Sequence, residues 1–161
     1  MRILGIDPGT EMSGCVILDT KTQRIVVKSI LHNDTLKYCF LSNQQWDFVG
    51  IENVQLYQAV GKDIRNTLIE IGRLFETIVC LKDECIVQLI ERTEIKMHFC
   101  GRTSKVTDAT IRLALIDRFG VKGTKKNPGF LYGLKSHEWS ALAIVVYIAD
   151  TQLKGKRNDR L

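Results

Sequence analysis

Apolar and polar positions along the chain follow two periods, and the switches between them outline the elements. Short, nearly continuous apolar runs come first. Ile3 to Ile6, Met12 to Leu18 and Arg24 to Leu31 each read as a strand. They are separated by Pro8-Gly9 and by the polar Asp19-Thr-Lys-Thr-Gln stretch, so the opening predicts a strand–turn–strand meander. Antiparallel neighbours need only short turns, and these turns are short. Residues 32–45 are mixed, with a short helix around Leu36 to Leu41 as a candidate. Asp47 to Val54 returns to a strand pattern, and Ile86 to Ile90 adds another.

Helical periodicity appears between and after these strands. Ile64, Leu68, Ile71, Phe75 and Ile78 recur at spacings of four and three. That predicts a helix over 62–80 with one apolar stripe and with Lys62, Arg65, Glu70, Arg73 and Glu76 on the other face. Gly72 interrupts it at a cost of about 1 kcal/mol relative to Ala, which a close backbone approach would explain. Glu91 to Phe99 forms a short helix, and Gly101-Arg-Thr-Ser is a break carrying N-cap candidates. Val106 to Phe119 is a second good helix, with Ile111, Leu115 and Phe119 on one face and Gly120 just past its end. Val121 to Gly133 is a loop rich in Gly and Lys. Ser136 then caps a helix from His137 to about Lys154 that is apolar almost all round and must be largely buried. The expected organisation is one domain over 1–153 and a charged tail over 154–161. Strands first, then strands alternating with helices, describe an α/β sheet with helices on its faces.

Composition alters this picture little. Lys and Arg number 23 against 18 Asp and Glu, a net charge of +5, which weakly favours a polyanionic partner. The five cysteines include no Cys-x-x-Cys pair and suit reduced thiols in a cytosolic protein. Cys80, Cys85, His98 and Cys100 match no common zinc spacing. The chain opens straight into a strand, so no signal peptide is expected, and the longest apolar run, Ala141 to Ala149, is too short to span a bilayer.

The acids carry the chemistry. Asp7 ends the first strand and Glu52 ends the strand after the meander. Burying an ionised carboxylate is costly unless it is paired or binds a metal. An Asp before Pro-Gly also suits a simple turn, but two core strands that each end in one acid are more informative than one. If the strands are neighbours, the acids lie side by side. His137 and Glu138 stand in the first turn of the buried helix and bring further metal-capable groups. Hard oxygen ligands suit Mg²⁺ or Mn²⁺. Two such ions, about 3.5–4 Å apart, serve phosphodiester cleavage.

Ile6-Asp7-Pro8-Gly9-Thr10 with Ser13-Gly14, then Ile51-Glu52, then His137-x-x-Ser140-Ala141-Leu142-Ala143, resembles the RuvC-like Holliday junction resolvases of the ribonuclease H-like superfamily, with a phage-type member suspected. The resemblance runs nearly end to end. It implies a ribonuclease H-like mixed five-stranded sheet flanked by helices, a homodimer, cytoplasmic location (host cytoplasm if phage-encoded) and Mg²⁺- or Mn²⁺-dependent nicking of branched DNA: a four-way junction, fork or flap. Asp7 is then the metal-bridging acid, Glu52 the second acid and His137 the first position of the last motif. Ser140 stands where the pattern expects Asp. Glu138 either compensates as a ligand or simply favours the helix N-terminus with its charge. The loop after Glu52 offers Leu56 and Tyr57 as wedges that unstack bases, or as ordinary packing residues. Arg92, Lys96, Arg102, Lys105, Arg112, Lys122, Lys125 and Lys126 are candidate phosphate contacts. Two rivals are a junction-binding protein without catalysis, which Ser140 keeps alive, and an actin-like ATPase or sugar kinase. The latter needs a second Asp-x-Gly turn and a second lobe, and the chain has neither.

Overall fold

The computed structural model describes residues 1–55, 61–82 and 85–158, with side chains described to residue 152. Five strands form one sheet: β1 (Arg2–Asp7), β2 (Met12–Asp19), β3 (Arg24–His32), β4 (Phe48–Asn53) and β5 (Ile86–Glu91), in the order β3-β2-β1-β4-β5. β1, β2 and β3 pair antiparallel, as expected of a meander, while β4 and β5 run parallel to β1. Between β3 and β4, α1 (Asn33–Thr35), a π-helical turn (Leu36–Phe40) and α2 (Leu41–Asn43) continue into one another. The helices are α3 (Lys62–Leu81), α4 (Arg92–Cys100), α5 (Asp108–Phe119) and α6 (Glu138–Asn158). α6 thus runs on through residues expected to be tail.

Successive residues of a strand face opposite sides of the sheet, so the core divides in two. Leu4, Ile6, Ile17, Val49 and Ile51 pack with Leu36, Leu41 and with Ile71, Leu74 and Ile78 of α3. Ile3, Val16, Leu18 and Ile90 pack with α4, α5 and the apolar α6. The buried row of α3 is rotated from the expected stripe. Thr67, Glu70, Ile71, Leu74 and Ile78 are buried, whereas Ile64 and Phe75 are exposed. Glu70, expected on the polar face, is buried because Lys37 (2.8 Å) and Arg73 (2.5 Å) pair with it. Two helix starts also differ. Thr107 caps α5 in place of the Gly101–Ser104 candidates. Ahead of α6 the turn is closed by Glu138, whose carboxylate accepts from Lys135 N at 2.7 Å, and not by the Ser136 side chain.

α6 lies unusually close to the sheet, and three glycines make the room. An ideal Cβ on Gly14 would stand 2.6 Å from the His137 backbone, one on Gly5 2.3 Å from the Ala141 carbonyl oxygen, and one on Gly50 2.5 Å from Ile144 and Ile148 side-chain carbons. Gly72 has open space where its Cβ would be, so no close approach explains it. These environments predict opposite effects. Gly5→Ala should lower unfolding stability by about 1–3 kcal/mol, because a backbone oxygen cannot step aside. Gly72→Ala should raise it by about 0.5–1 kcal/mol through helix propensity. Urea denaturation followed by circular dichroism measures both.

Candidate active site

The site grows from the C-terminal edge of the parallel strands, where ligands bind in open α/β sheets. Ile6 of β1 pairs with Ile51 of β4, so Asp7 and Glu52 stand side by side one step further on. They share a face with Gly5 and Gly50, the face that α6 covers. The loop after Asp7 is held by a buried pair that sequence reasoning missed. Ser13 Oγ donates to Asn33 Oδ1 at 2.7 Å, and Asn33 Nδ2 donates to the carbonyl of Gly9 at 3.0 Å. Ser13 was noticed only as part of a motif, and nothing local marks Asn33.

α6 delivers the third component. Gly14 pairs with Asp7 across β1 and β2, and the His137 backbone rests directly on Gly14. His137 is thereby set over Asp7, and its Nδ1 lies 2.9 Å from Asp7 Oδ2. Ser140, one turn along, lines the same cleft and acts to lower the Asp7 carboxyl. Glu138 does not join them. It is 5% exposed, its carboxylate is used by the Lys135 turn, and its charge is felt by buried Cys15, whose thiol burial pushes up to about 12. Its expected role as a compensating ligand is corrected to that of closing the turn before α6.

A cavity of about 670 Å³ opens over Asp7, Glu52, His137 and Ser140, walled by Asp108, Ile111, Arg112, Leu113, Ile116 and Trp139. Burial raises the Asp7 carboxyl above its ordinary value, against the opposing pull of His137, Arg92 and Ser140. Burial pushes Glu52 up to about 7; Arg92 opposes this, while the charges of Asp7 and Asp108 add to it. Arg92 was expected to meet DNA phosphate. In the structure its guanidinium donates to Glu52 Oε2 at 3.1 Å and also to Asp108. Asp108, at the start of α5, was not anticipated, since the helix was read as beginning at Val106.

The donor set suits a hard divalent cation. Two adjacent carboxylates are raised by burial, one held by a guanidinium and the other by an imidazole, with a hydroxyl at hand. Among the described residues no three His, Cys, Asp or Glu side chains are already gathered around one point.

Of the remaining candidates, Lys96 and Arg112 line the cleft. Lys96 lines a second cavity of about 270 Å³ with Asp7, Glu52 and Gln55. Arg112 and Lys122 lie over the Trp139 ring, 4.5 and 5.0 Å from its centroid. Arg102 and Lys105 are exposed in the α4–α5 connection, and Lys125 and Lys126 sit at the tip of a tight loop closed between Gly123 and Pro128. Leu56 and Tyr57 lie outside the described residues. No helix among the described residues is long and apolar enough to cross a membrane.

No protein-family model matches the chain, and no curated protein matches it in sequence. Solved structures similar to it include two of RuvC. One is RuvC from Thermus thermophilus, at 16% identity and a TM-score of 0.70 over 96% of this chain and 97% of that one. The other is T. thermophilus RuvC in complex with a Holliday junction substrate, at the same identity and TM-score over 96% of both chains. The mixed five-stranded sheet and its flanking helices are therefore a RuvC-like, ribonuclease H-like fold.

Proposed function

We propose that the protein is a structure-selective endonuclease that nicks Holliday junctions or other branched DNA by two-metal-ion phosphodiester hydrolysis. The observation that carries this is the juxtaposition of Asp7 and Glu52 on adjacent strand ends, with His137 brought onto Asp7 by α6. The similarity to a RuvC seen with a Holliday junction substrate supports the substrate class. Asp7 and Glu52 would hold Mg²⁺ or Mn²⁺, with His137 beside them. Bound there, such ions activate water and offset charge on the phosphate and leaving oxygen. The chain's own contribution is to fix the carboxylates and exclude bulk water. His137 and Ser140 oppose the burial that raises the Asp7 carboxyl. Lys96 and Arg112 border the cleft with positive charge for the phosphate backbone, and Arg102, Lys105, Lys125 and Lys126 would add contacts outside it. Leu56 and Tyr57 keep their proposed place as wedges at the junction centre.

Asp7→Asn should reduce nicking of a four-way junction at least about 100-fold in Mg²⁺ or Mn²⁺ while leaving junction binding intact. Ser140→Asp should lower the metal concentration needed for half-maximal cutting. Ser140 also favours the second reading, junction binding without hydrolysis. A wild-type protein that binds the junction and leaves it intact in both metals would establish that reading instead.

The Glu52 shift sets a pH dependence. A carboxyl raised in the folded state from 4.5 to about 7 adds stability at low pH that is lost as pH rises through about 7. The metal-free protein should therefore lose about 3 kcal/mol from this group between pH 4.5 and 7.5. Added Mn²⁺ should restore most of it above pH 7. Thermal melts of wild type and Glu52→Gln across this range check the sign, since the variant should show a shallower slope.

Two nicks on opposed strands need two sites, so the protein is further proposed to act as a homodimer. Ile64, Phe75 and Val79 on the outer side of α3 offer an apolar row for the partner. Phe75→Glu should convert a dimer to a monomer in analytical ultracentrifugation.

A further inference from the structure

The cleft over the acids is divided in two, and Arg92 stands at the division. Asp7, Glu52 and Arg92 line both the cavity of about 670 Å³ and the one of about 270 Å³. Arg92 is the first residue of α4, directly after β5, and its side chain is largely buried. One guanidinium nitrogen donates to Glu52 Oε2 and the other to Asp108. A guanidinium is always charged, so Glu52 carries a permanent cation on Oε2. A divalent cation on the same carboxylate would be repelled by it and would compete for the same negative charge. Asp108 is different, since its side chain is 81% exposed and its bond to Arg92 faces solvent. It draws part of the guanidinium away from Glu52.

Substrate supplies the third partner. Guanidinium groups bind phosphate through paired hydrogen bonds. Arg92 faces both cavities, with Lys96 bordering one and Arg112 the other. A backbone phosphate laid across the cleft would meet Arg92 between them. Resting on the proposed nuclease reading, we propose that Arg92 is a positioning residue, the resident counter-cation of Glu52. It competes with the divalent cation until a DNA phosphate takes the guanidinium, and Asp108 sets how firmly it is held. Metal loading is then coupled to substrate, and ions are bound weakly where no DNA is present to be cut.

Isothermal titration of Mn²⁺ into full-length protein tests this without reference to activity. In the absence of DNA, Arg92→Met should bind Mn²⁺ about ten-fold more tightly than wild type. Asp108→Asn should bind it more weakly, and this loss should vanish in the Arg92→Met background, because Asp108 acts through Arg92. A four-way junction with phosphorothioate linkages at the exchange point should tighten Mn²⁺ binding to wild type and leave Arg92→Met unchanged. Unchanged or weaker binding by Arg92→Met, or an equal Asp108→Asn effect in both backgrounds, overturns the proposal. If Arg92→Met does not fold, the exposed Asp108→Asn site decides alone, and an unchanged affinity there overturns it. A wild type that responds as expected but cuts no branched DNA would defeat the nuclease reading and leave the competition standing.

Discussion

The close seating of α6 on the sheet is the constraint on which the rest depends. A helix that is apolar all round has no polar face to fix its rotation. Here the glycines fix it. Gly14, Gly5 and Gly50, on three adjacent strands, lie beneath His137, Ala141 and the Ile144–Ile148 turn, and a side chain at any of them would overlap the helix. That diagonal path is what brings His137 and Ser140, at the helix start, onto Asp7. β1 and β4 repeat one short design, Gly-Ile-acid. The glycine admits the helix, the isoleucine packs on the opposite face, and the acid reappears on the helix side at the strand end.

The same closeness sets the electrostatics. Asp7 and Glu52 are buried because α6 and the α4–α5 side of the sheet close over them, and burial is the main reason both carboxyls are raised. Their ionisation therefore depends on neighbours: His137 and Ser140 for Asp7, Arg92 for Glu52. The gathering of the acids and the cost of ionising them come from one packing arrangement.

Much of this was legible in the sequence, for reasons that also explain what was not. All five strands read as apolar runs, most plainly β1, β2 and β4, which are buried along most of their length, and the acids at the ends of two of them were equally visible. α3 was placed correctly but rotated wrongly, because its true inner row includes Glu70. That carboxylate belongs inside only once Lys37 arrives from the π-helical turn. His137 stood out through its register with Ser140-Ala-Leu-Ala, whereas Glu138 differs from it by a single helical step and faces the other way. Asp108 had no local signal. Its importance lies in Arg92, 16 residues earlier and on another helix, and pairs made by tertiary packing leave no spacing to read.

Ser140 then has a physical meaning beyond a missing acid. An Asp at that position would place a third carboxylate against Asp7 in the same buried cleft, raising the cost of ionising the group. Ser140 instead acts to lower the Asp7 carboxyl, against its burial. The chain thus trades ligand strength on the α6 side for a cleft that tolerates its own charge without metal. That trade only works if the remaining negative charge is matched elsewhere, and the structure matches it with Arg92 on Glu52. A lighter acid set and a built-in guanidinium are two halves of one arrangement: fewer carboxylates in the cleft, and a resident cation on one of those that remain.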